Sequence, residues 1–481
     1  MRVTPGALAL TLALAPLRAA GRDPTSLQKA IDLILDRPAF AAGFWGVEVR
    51  DLGSGHVLYA RNAGKNLTPA STMKLVTTAA ALDVLGPEAR FRTTLETAAP
   101  VDASGRLSGD LYLVGRGDPD LSERAPDGRT GFDQLASALW TAGVRRIDGR
   151  LVGHEGFFKG DRRGPSWGWD DLVWCYGAEV SALSWNDSCA DLTVSPGPRP
   201  GEPAVVTRRP VSAYYEVRSS ATTSVAGAKS DLTLVRELGS TVIHLSGTHP
   251  AGAAPDELAV ALEDPARYAA TVFAETLVAT GIQVAGPVVT SSDPLPAGLR
   301  VLGVHESPRL ADILKRTNKR SDNSRAETLL RHVGGQARGE ASPAAGADAV
   351  ADFLKRLGVS PESAAFVDGS GLAPTDLLAP RQIVDLLVAM DRHPQGRVFR
   401  DSLAVAGVDG TLEHRMRGTR AAGRVVAKTG SRSHVNAMAG YVTTLADGRL
   451  AFSIVVNHHT APPREATAAM DQVCQLLVGW R

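Results

Sequence analysis

An excess of charge is the first thing this chain lacks. Lys and Arg number 52 and Asp and Glu 51 over 481 residues, so its summed field attracts neither a polyanion nor an anionic membrane, and no nucleic-acid partner is expected. Beyond the first residues, no apolar run reaches the length that a membrane-spanning helix needs. No repeat of fixed period is present, which argues against solenoids and propellers. Metal-ligand spacing is also missing: His332, His434 and the pair His458-His459 form no H-E-x-x-H, and His154-Glu155 has no second histidine one turn later. Neither a metal nor another cofactor is expected.

Cysteine is scarce, with three in the chain, too few for a disulfide scaffold. Cys175 and Cys189 lie in a Gly- and Trp-rich segment. Closing a loop of ~15 residues between them would stabilise by about 3 kcal/mol in the chain-entropy picture, so they form a possible disulfide. Cys474, inside the apolar run MDQVCQLLVGW, reads as a buried small hydrophobe.

What is present is length enough for roughly two to three domains. The first residues, MRVTPGALALTLALAPLRAAGRD, have a positive start, an apolar run and a small-residue exit, and residues 1–20 read as a signal peptide. Export to the periplasm or cell envelope is expected, with no transmembrane segment left after the signal is removed. SLQKAIDLILD then carries apolar residues at helical spacing, and FWGVEVRD and HVLYARN read as a hairpin across LGSG.

From residue 92 to 300 the texture is short β-rich runs broken by Gly, Pro and Asp, such as GDLYLVGRGDP and STVIHLSG. Helical patterns return in LADILKRTN, SRAETLLRHVG and ADAVADFLKRLG. The chain closes with strand-like GRVVAKTG, NAMAGYVTT and LAFSIVVNH and a final helix. These textures predict an α/β fold. Residues 21–91 and 301–481 form one domain, built on a five-stranded antiparallel sheet flanked by helices, and 92–300 form a β-rich insertion of two subdomains.

Three short motifs could carry chemistry. In TPASTMKLV, Ser71 and Lys74 stand three apart, the spacing that puts two side chains on one helix face. A serine hydroxyl needs a base, and a lysine supplies one when burial or a second cation favours its neutral form. That spacing alone carries little weight, because Ser26-Leu27-Gln28-Lys29 repeats it where Ser26 reads as a helix N-cap and Lys29 as a solvated side chain. Ser321-Asp322-Asn323 adds a hydroxyl and an amide. Lys428-Thr429-Gly430-Ser431 ends a strand-like run with a cation and hydroxyls for a carboxylate, and a glycine that allows close backbone approach.

S-x-x-K, SDN and KTG in this order resemble the signature of the serine penicillin-recognising proteins. The stretches GDLYLVGRGDPDLS, YGAEVSALSWNDS, VDGSGLAP and SLAVAGVDGTL narrow the resemblance to the class C low-molecular-mass penicillin-binding proteins, the D-alanyl-D-alanine carboxypeptidase/endopeptidase family. The resemblance implies a serine β-lactamase/D,D-peptidase-like domain with a large insertion between the first two motifs. It further implies a nucleophile at Ser71, a base at Lys74, a proton relay at Ser321, a substrate-holding amide at Asn323, and a second cation at Lys428 that keeps Lys74 partly neutral by repulsion. Thr429, Gly430 and Ser431 would bind substrate, and the backbone N–H groups of Ser71 and Ser431 would form the oxyanion hole.

The implied partners are peptidoglycan stem peptides and, as covalent inhibitors, β-lactam antibiotics. Two rival functions are a serine β-lactamase and an inactive penicillin-binding wall scaffold. The long insertion and the lack of a glutamate assignable to deacylation oppose the first, and the intact motifs oppose the second. Other features read as architecture: Gly164-Pro165-Ser166-Trp167-Gly168 as a loop, Arg162 and Arg163 as a solvated turn, and Asp118-Pro119 and Asp368-Gly369 as turns.

Overall fold

A computed structural model describes residues 23–123 and 130–480; the expected signal at 1–20 lies outside the described residues. Both ends of the chain contribute to one sheet. Its order is Ala404–Val405, Val425–Arg432, Val435–Thr443, Arg449–Asn457, Phe44–Asp51 and Val57–Arg61, every neighbour antiparallel. These are the five expected strands plus a two-residue strand at one edge. That edge strand pairs only with Val426 and Ala427, so the outer edge of Lys428 to Arg432 is unpaired among the described residues.

Strand alternation sorts the sheet's side chains onto two cores. Trp45, Val47, Val49, Phe452 and Ile454 pack against the terminal helices Pro24–Leu35 and Pro463–Val478, where Leu27, Ile31, Met470, Val473 and Cys474 are buried. The first of these helices is capped by Asp23, which accepts from the N–H groups of Thr25 and Ser26. Ser26 is therefore not the N-cap that its position in the sequence suggests. Ala439, Tyr441 and Ala451 face the other core, formed by helices Met73–Leu85, Leu310–Arg320, Asn323–Arg338, Pro343–Arg356 and Pro380–Arg392. Every residue from Met73 to Leu82 is buried. A helix apolar almost all round belongs at the centre of a core, and this one carries Lys74 in with it.

The β-rich region leaves and rejoins this domain through adjacent antiparallel strands, Arg92–Thr97 and Arg300–Glu306. They lie in a five-stranded sheet with Leu111–Gly115, Leu151–His154 and Val288–Ser291. The strand Arg300–Glu306 crosses the expected boundary at 300, because pairing with its antiparallel neighbour outweighs the change of texture in sequence. Smaller sheets centre on Cys189–Ser195 and Val242–Pro250, and Phe132 stacks on Trp185 with ring centroids 4.0 Å apart.

Arg162 and Arg163 are not a solvated turn. Arg162 pairs with Glu155, Glu179 and Asp264, and Arg163 with Glu179 and Glu263, in a half-buried network. Cys175 and Cys189 form a disulfide across 14 residues, and Cys474 is a buried free thiol. Thiol titration of the denatured protein should count one thiol before reduction and three after; three before reduction would refute the link.

Candidate active site

Ser71 sits in the 3-10 turn Ala70–Thr72 that leads into helix Met73–Leu85. The turn is pinned from the sheet: Asn457 accepts from the Thr68 N–H at 2.8 Å and donates back to the Thr68 carbonyl at 3.1 Å. Thr72 ties its hydroxyl to the Pro69 carbonyl at 2.7 Å, and Ala70 takes a left-handed φ of 46°, a strained conformation that only surrounding contacts maintain. One turn into the helix, the fully buried Lys74 donates to Ser71 Oγ at 2.9 Å, Asn323 Oδ1 at 2.6 Å and the Ser370 carbonyl at 2.7 Å. Three ammonium protons meet three neutral oxygens. Burial pulls the amine down to about 8, against the opposing charges of Asp368, Asp322, Glu327 and Asp376.

The second motif spans a junction of two helices. Ser321 ends Leu310–Arg320 in the left-handed region, with φ 61°. Asp322 then caps Asn323–Arg338 by accepting from the Arg325 N–H at 2.9 Å. Asn323 is thereby the first helical residue. Its amide bridges two parts of the protein, accepting from Lys74 and donating to the Tyr176 carbonyl of the inserted region at 2.8 Å.

Lys428, on strand Val425–Arg432 and also fully buried, donates to Ser321 Oγ at 2.8 Å and to the Thr429 carbonyl at 2.7 Å. Burial first, then the charge of Lys74, holds its amine well below the ordinary lysine range. Burial is the leading cause at both amines, and repulsion between the two acts in the same direction. Thr429 donates its hydroxyl hydrogen bond to Thr411 at 2.7 Å. Gly430 runs tight against the serine turn, where a Cβ would lie 3.0 Å from both Ser71 N and the Pro69 carbonyl oxygen. The backbone N–H of Ser71 and the free edge of the KTGS strand are therefore neighbours. Ser431 is exposed, and its Oγ accepts from Asn436 at 3.3 Å.

The structure thus gathers residues of all three motifs into one cleft and adds several that the sequence reading missed. The Ser370 carbonyl, the Tyr176 carbonyl and Thr411 touch the motif residues directly. His459 supports Asn436 by an Nε2 contact of 2.9 Å to its Oδ1. The sequence presents its histidines without a structural partner, and a backbone carbonyl has no side-chain signature; VDGSGLAP is the pointer to Ser370. Among the described residues, no group of three or more His, Cys, Asp or Glu could hold a metal.

Residues 27–477 match the D-Ala-D-Ala carboxypeptidase 3 (S13) family. The chain belongs to this family. It is 37% identical over 475 residues to a D-alanyl-D-alanine carboxypeptidase of Actinomadura sp. (strain R39), covering 94% of this chain and 87% of that one. With the D-alanyl-D-alanine carboxypeptidase DacB of Haemophilus influenzae it shares 27% over 433 residues, 88% of this chain and 87% of the relative. In fold it resembles the crystal structure of penicillin-binding protein 4 from H. influenzae, with a TM-score of 0.81 at 24% identity over 94% of this chain and 99% of that one. That protein is also solved in complex with a β-lactam. A predatory peptidoglycan endopeptidase of Bdellovibrio bacteriovorus shares the fold at a TM-score of 0.54 and 17% identity, over 90% of this chain and 92% of that one.

The close approach at Gly430 gives a test of the assembled cleft. Gly430→Ala must part the strand and the serine turn by a few tenths of an ångström, and acylation by a fluorescent penicillin should slow several-fold, since the rate depends on how the reacting groups are placed. Thermal melting should move by only a few degrees, because the strand keeps its pairing on the inner edge. An unchanged acylation rate would show that the strand and Ser71 do not act together.

Proposed function

We propose that this protein is an exported serine D,D-peptidase that cleaves D-Ala-D-Ala carboxypeptide bonds or D-alanyl cross-links of peptidoglycan and is acylated by penicillins. The observation that carries the reading is the contact of Ser71 Oγ with the amine of a fully buried Lys74. Nucleophile and base meet within hydrogen-bond reach, and burial makes the base available: with its amine near 8, about a tenth of the molecules hold neutral Lys74 at pH 7. Membership of the family and the carboxypeptidase relatives support the substrate class. Among the described residues no helix is long and apolar enough to cross a membrane, which is compatible with action outside the cytoplasm.

The chemistry follows from the positions. Substrate lies as an extra strand along the unpaired edge of Lys428 to Arg432, a mode in which backbone groups supply affinity, and its terminal carboxylate meets Thr429 and Lys428. Lys74 takes the proton of Ser71 as Oγ bonds to the carbonyl carbon. The oxyanion points at the N–H groups of Ser71 and Ser431, which are fixed before reaction by the turn and the strand. As the C–N bond breaks, Ser321 delivers its proton to the departing D-alanine amine and takes a replacement from the Lys428 ammonium that donates to it, which balances the proton taken up by Lys74, and Asn323 keeps Lys74 and the peptide in register. Water then releases the acyl group.

In class A serine β-lactamases a glutamate activates that water. Glu327 is fully occupied: Oε1 accepts from Gly369 and Ser370 N–H, and Oε2 faces Arg331 at 3.3 Å.

Incubation of the mature protein with a penicillin and with a D-Ala-D-Ala pentapeptide should give a lasting adduct on Ser71 and free D-alanine, followed by intact mass and amino-acid analysis. Ser71→Ala should remove both, and an adduct that survives this change would refute the nucleophile. Rapid penicillin turnover without peptide cleavage would favour the lactamase instead. Acylation should rise with pH up to about 8 and then level off, because only the neutral amine accepts the serine proton; a rate flat between pH 6 and 9 would exclude Lys74 as the base.

A further inference from the structure

The loop Val367–Ala373 is wound around carboxylates. Asp368 Oδ1 accepts from the N–H groups of Ser370 at 3.0 Å and Gly371 at 2.6 Å, and its Oδ2 from Ala373 N–H at 2.7 Å. Glu327, from helix Asn323–Arg338, accepts from Gly369 and Ser370 N–H at 2.9 Å each. Asp376 accepts from Val367 and Asp368 N–H. Six of the loop's backbone donors thus point inward at acids, which leaves carbonyls pointing the other way. Two of those carbonyls dock on helix Met73–Leu85: Gly369 accepts from Thr77 Oγ1 at 2.7 Å and Ser370 from Lys74 Nζ at 2.7 Å.

The glycines allow this packing. A Cβ on Gly371, at φ 78°, would sit 1.9 Å from the Ala70 carbonyl oxygen, and one on Gly369 2.8 Å from that of Ala326. The loop is wedged between the serine turn and the helix of Asn323. From outside, the inserted region closes the system: Trp167 Nε1 donates to Asp368 Oδ2 at 2.9 Å, and Ser166 Oγ lies 2.6 Å from Thr375 Oγ1.

We propose that Asp368 is a positioning residue for the reaction, holding the Ser370 carbonyl on Lys74 and setting the local field at that amine, and that the inserted region controls it through Trp167. This rests on the reading of Lys74 as the base. Asp368 heads the charges that favour the ammonium form of Lys74. The other charged groups around Lys74 are Lys428 from the sheet, Asp322 and Glu327 from helix Asn323–Arg338, and Asp376 from the loop's end. Arg331 partly neutralises Glu327, and Arg325 partly neutralises Asp322. Helix Leu310–Arg320 reaches Met73–Leu85 with neutral Asn318, which donates to Thr78. Burial and the neighbouring Asp368 push Glu327 up to about 7, and burial and Asp368 push Asp376 well above the carboxylate range. Asp368 takes four N–H donors on its two oxygens, more than Glu327 or Asp376.

Two substitutions act on Asp368 in opposite senses. Asp368→Asn removes the negative charge, so neutral Lys74 forms more easily and the acid limb of the penicillin acylation profile moves to lower pH. Trp167→Phe keeps an aromatic side chain but removes the indole N–H that donates to Asp368, so the carboxylate field at Lys74 is less offset and the limb moves to higher pH. Shifts of roughly half a pH unit or more are expected, together with a loss of about tenfold in the plateau rate as the carbonyl loses its fixed position.

The second-order acylation rate would be measured from pH 5.5 to 9.5 on the full chain, with melting curves as a control. A structural role alone would lower both plateaus and leave the limbs in place, and that result, or shifts in the same direction, would overturn the proposal. If Asp368→Asn does not fold, Trp167→Phe decides alone: an unmoved limb overturns it. Lys74→Ala belongs in the same series. Undiminished acylation in that variant would instead remove the reading of Lys74 as base, which keeps the two failures distinct.

Discussion

Two lysine amines, Lys74 and Lys428, are held out of solvent in one cleft, and the rest of the site is arranged around the cost of doing so. An ammonium taken from water loses several kcal/mol unless its surroundings replace hydration. A direct salt bridge would do that, but it would also lock the proton onto the amine and rule out the proposed use of Lys74 as a base. The protein instead surrounds Lys74 with three neutral oxygens, from Ser71, Asn323 and Ser370, and keeps its carboxylates one layer back. Hydrogen bonding is satisfied while the amine stays able to exchange its proton. Lys428 is treated alike, with the Ser321 hydroxyl and the Thr429 carbonyl as its acceptors.

Such an arrangement requires rigid neighbours, and the inserted region supplies part of the rigidity. It presents the Tyr176 carbonyl to Asn323, next to the disulfide at Cys175. It brings Asp120 and Asp187 to the buried guanidinium of Arg325, which follows the SDN motif. It seats Trp167 on Asp368. The insertion thus holds the site at the second motif and at the loop behind the lysine, so its position and the geometry of the motif residues are linked.

Much of the fold was legible because hydrophobic period survives into three dimensions. FWGVEVRD, HVLYARN and the three C-terminal runs became strands of one sheet, and the apolar helix after Ser71 became a core helix. Where the reading failed, a better-placed partner outweighed the pattern read along the chain. Ser26 yielded the cap to Asp23, whose carboxylate reaches two N–H groups at once. Arg162 and Arg163 are enclosed by Glu155 and Glu179 from nearby and by Glu263 and Asp264 from a distant segment. The strand at Arg300 followed its pairing with Arg92–Thr97 rather than the composition around it.

The sequence by itself determined the chemical inventory and one local geometry: a serine and a lysine three apart on a helix must share a face, because the covalent pitch requires it. It also determined that the helix is apolar enough to be buried. What only the tertiary structure decided is which of two S-x-x-K pairs is buried beside an amide and a second amine, and what shifts its proton affinity. Lys29 remains in water while Lys74 meets Asn323 and the Ser370 carbonyl. Desolvation and backbone acceptors are properties of packing, and neither is encoded in the spacing of side chains along a chain.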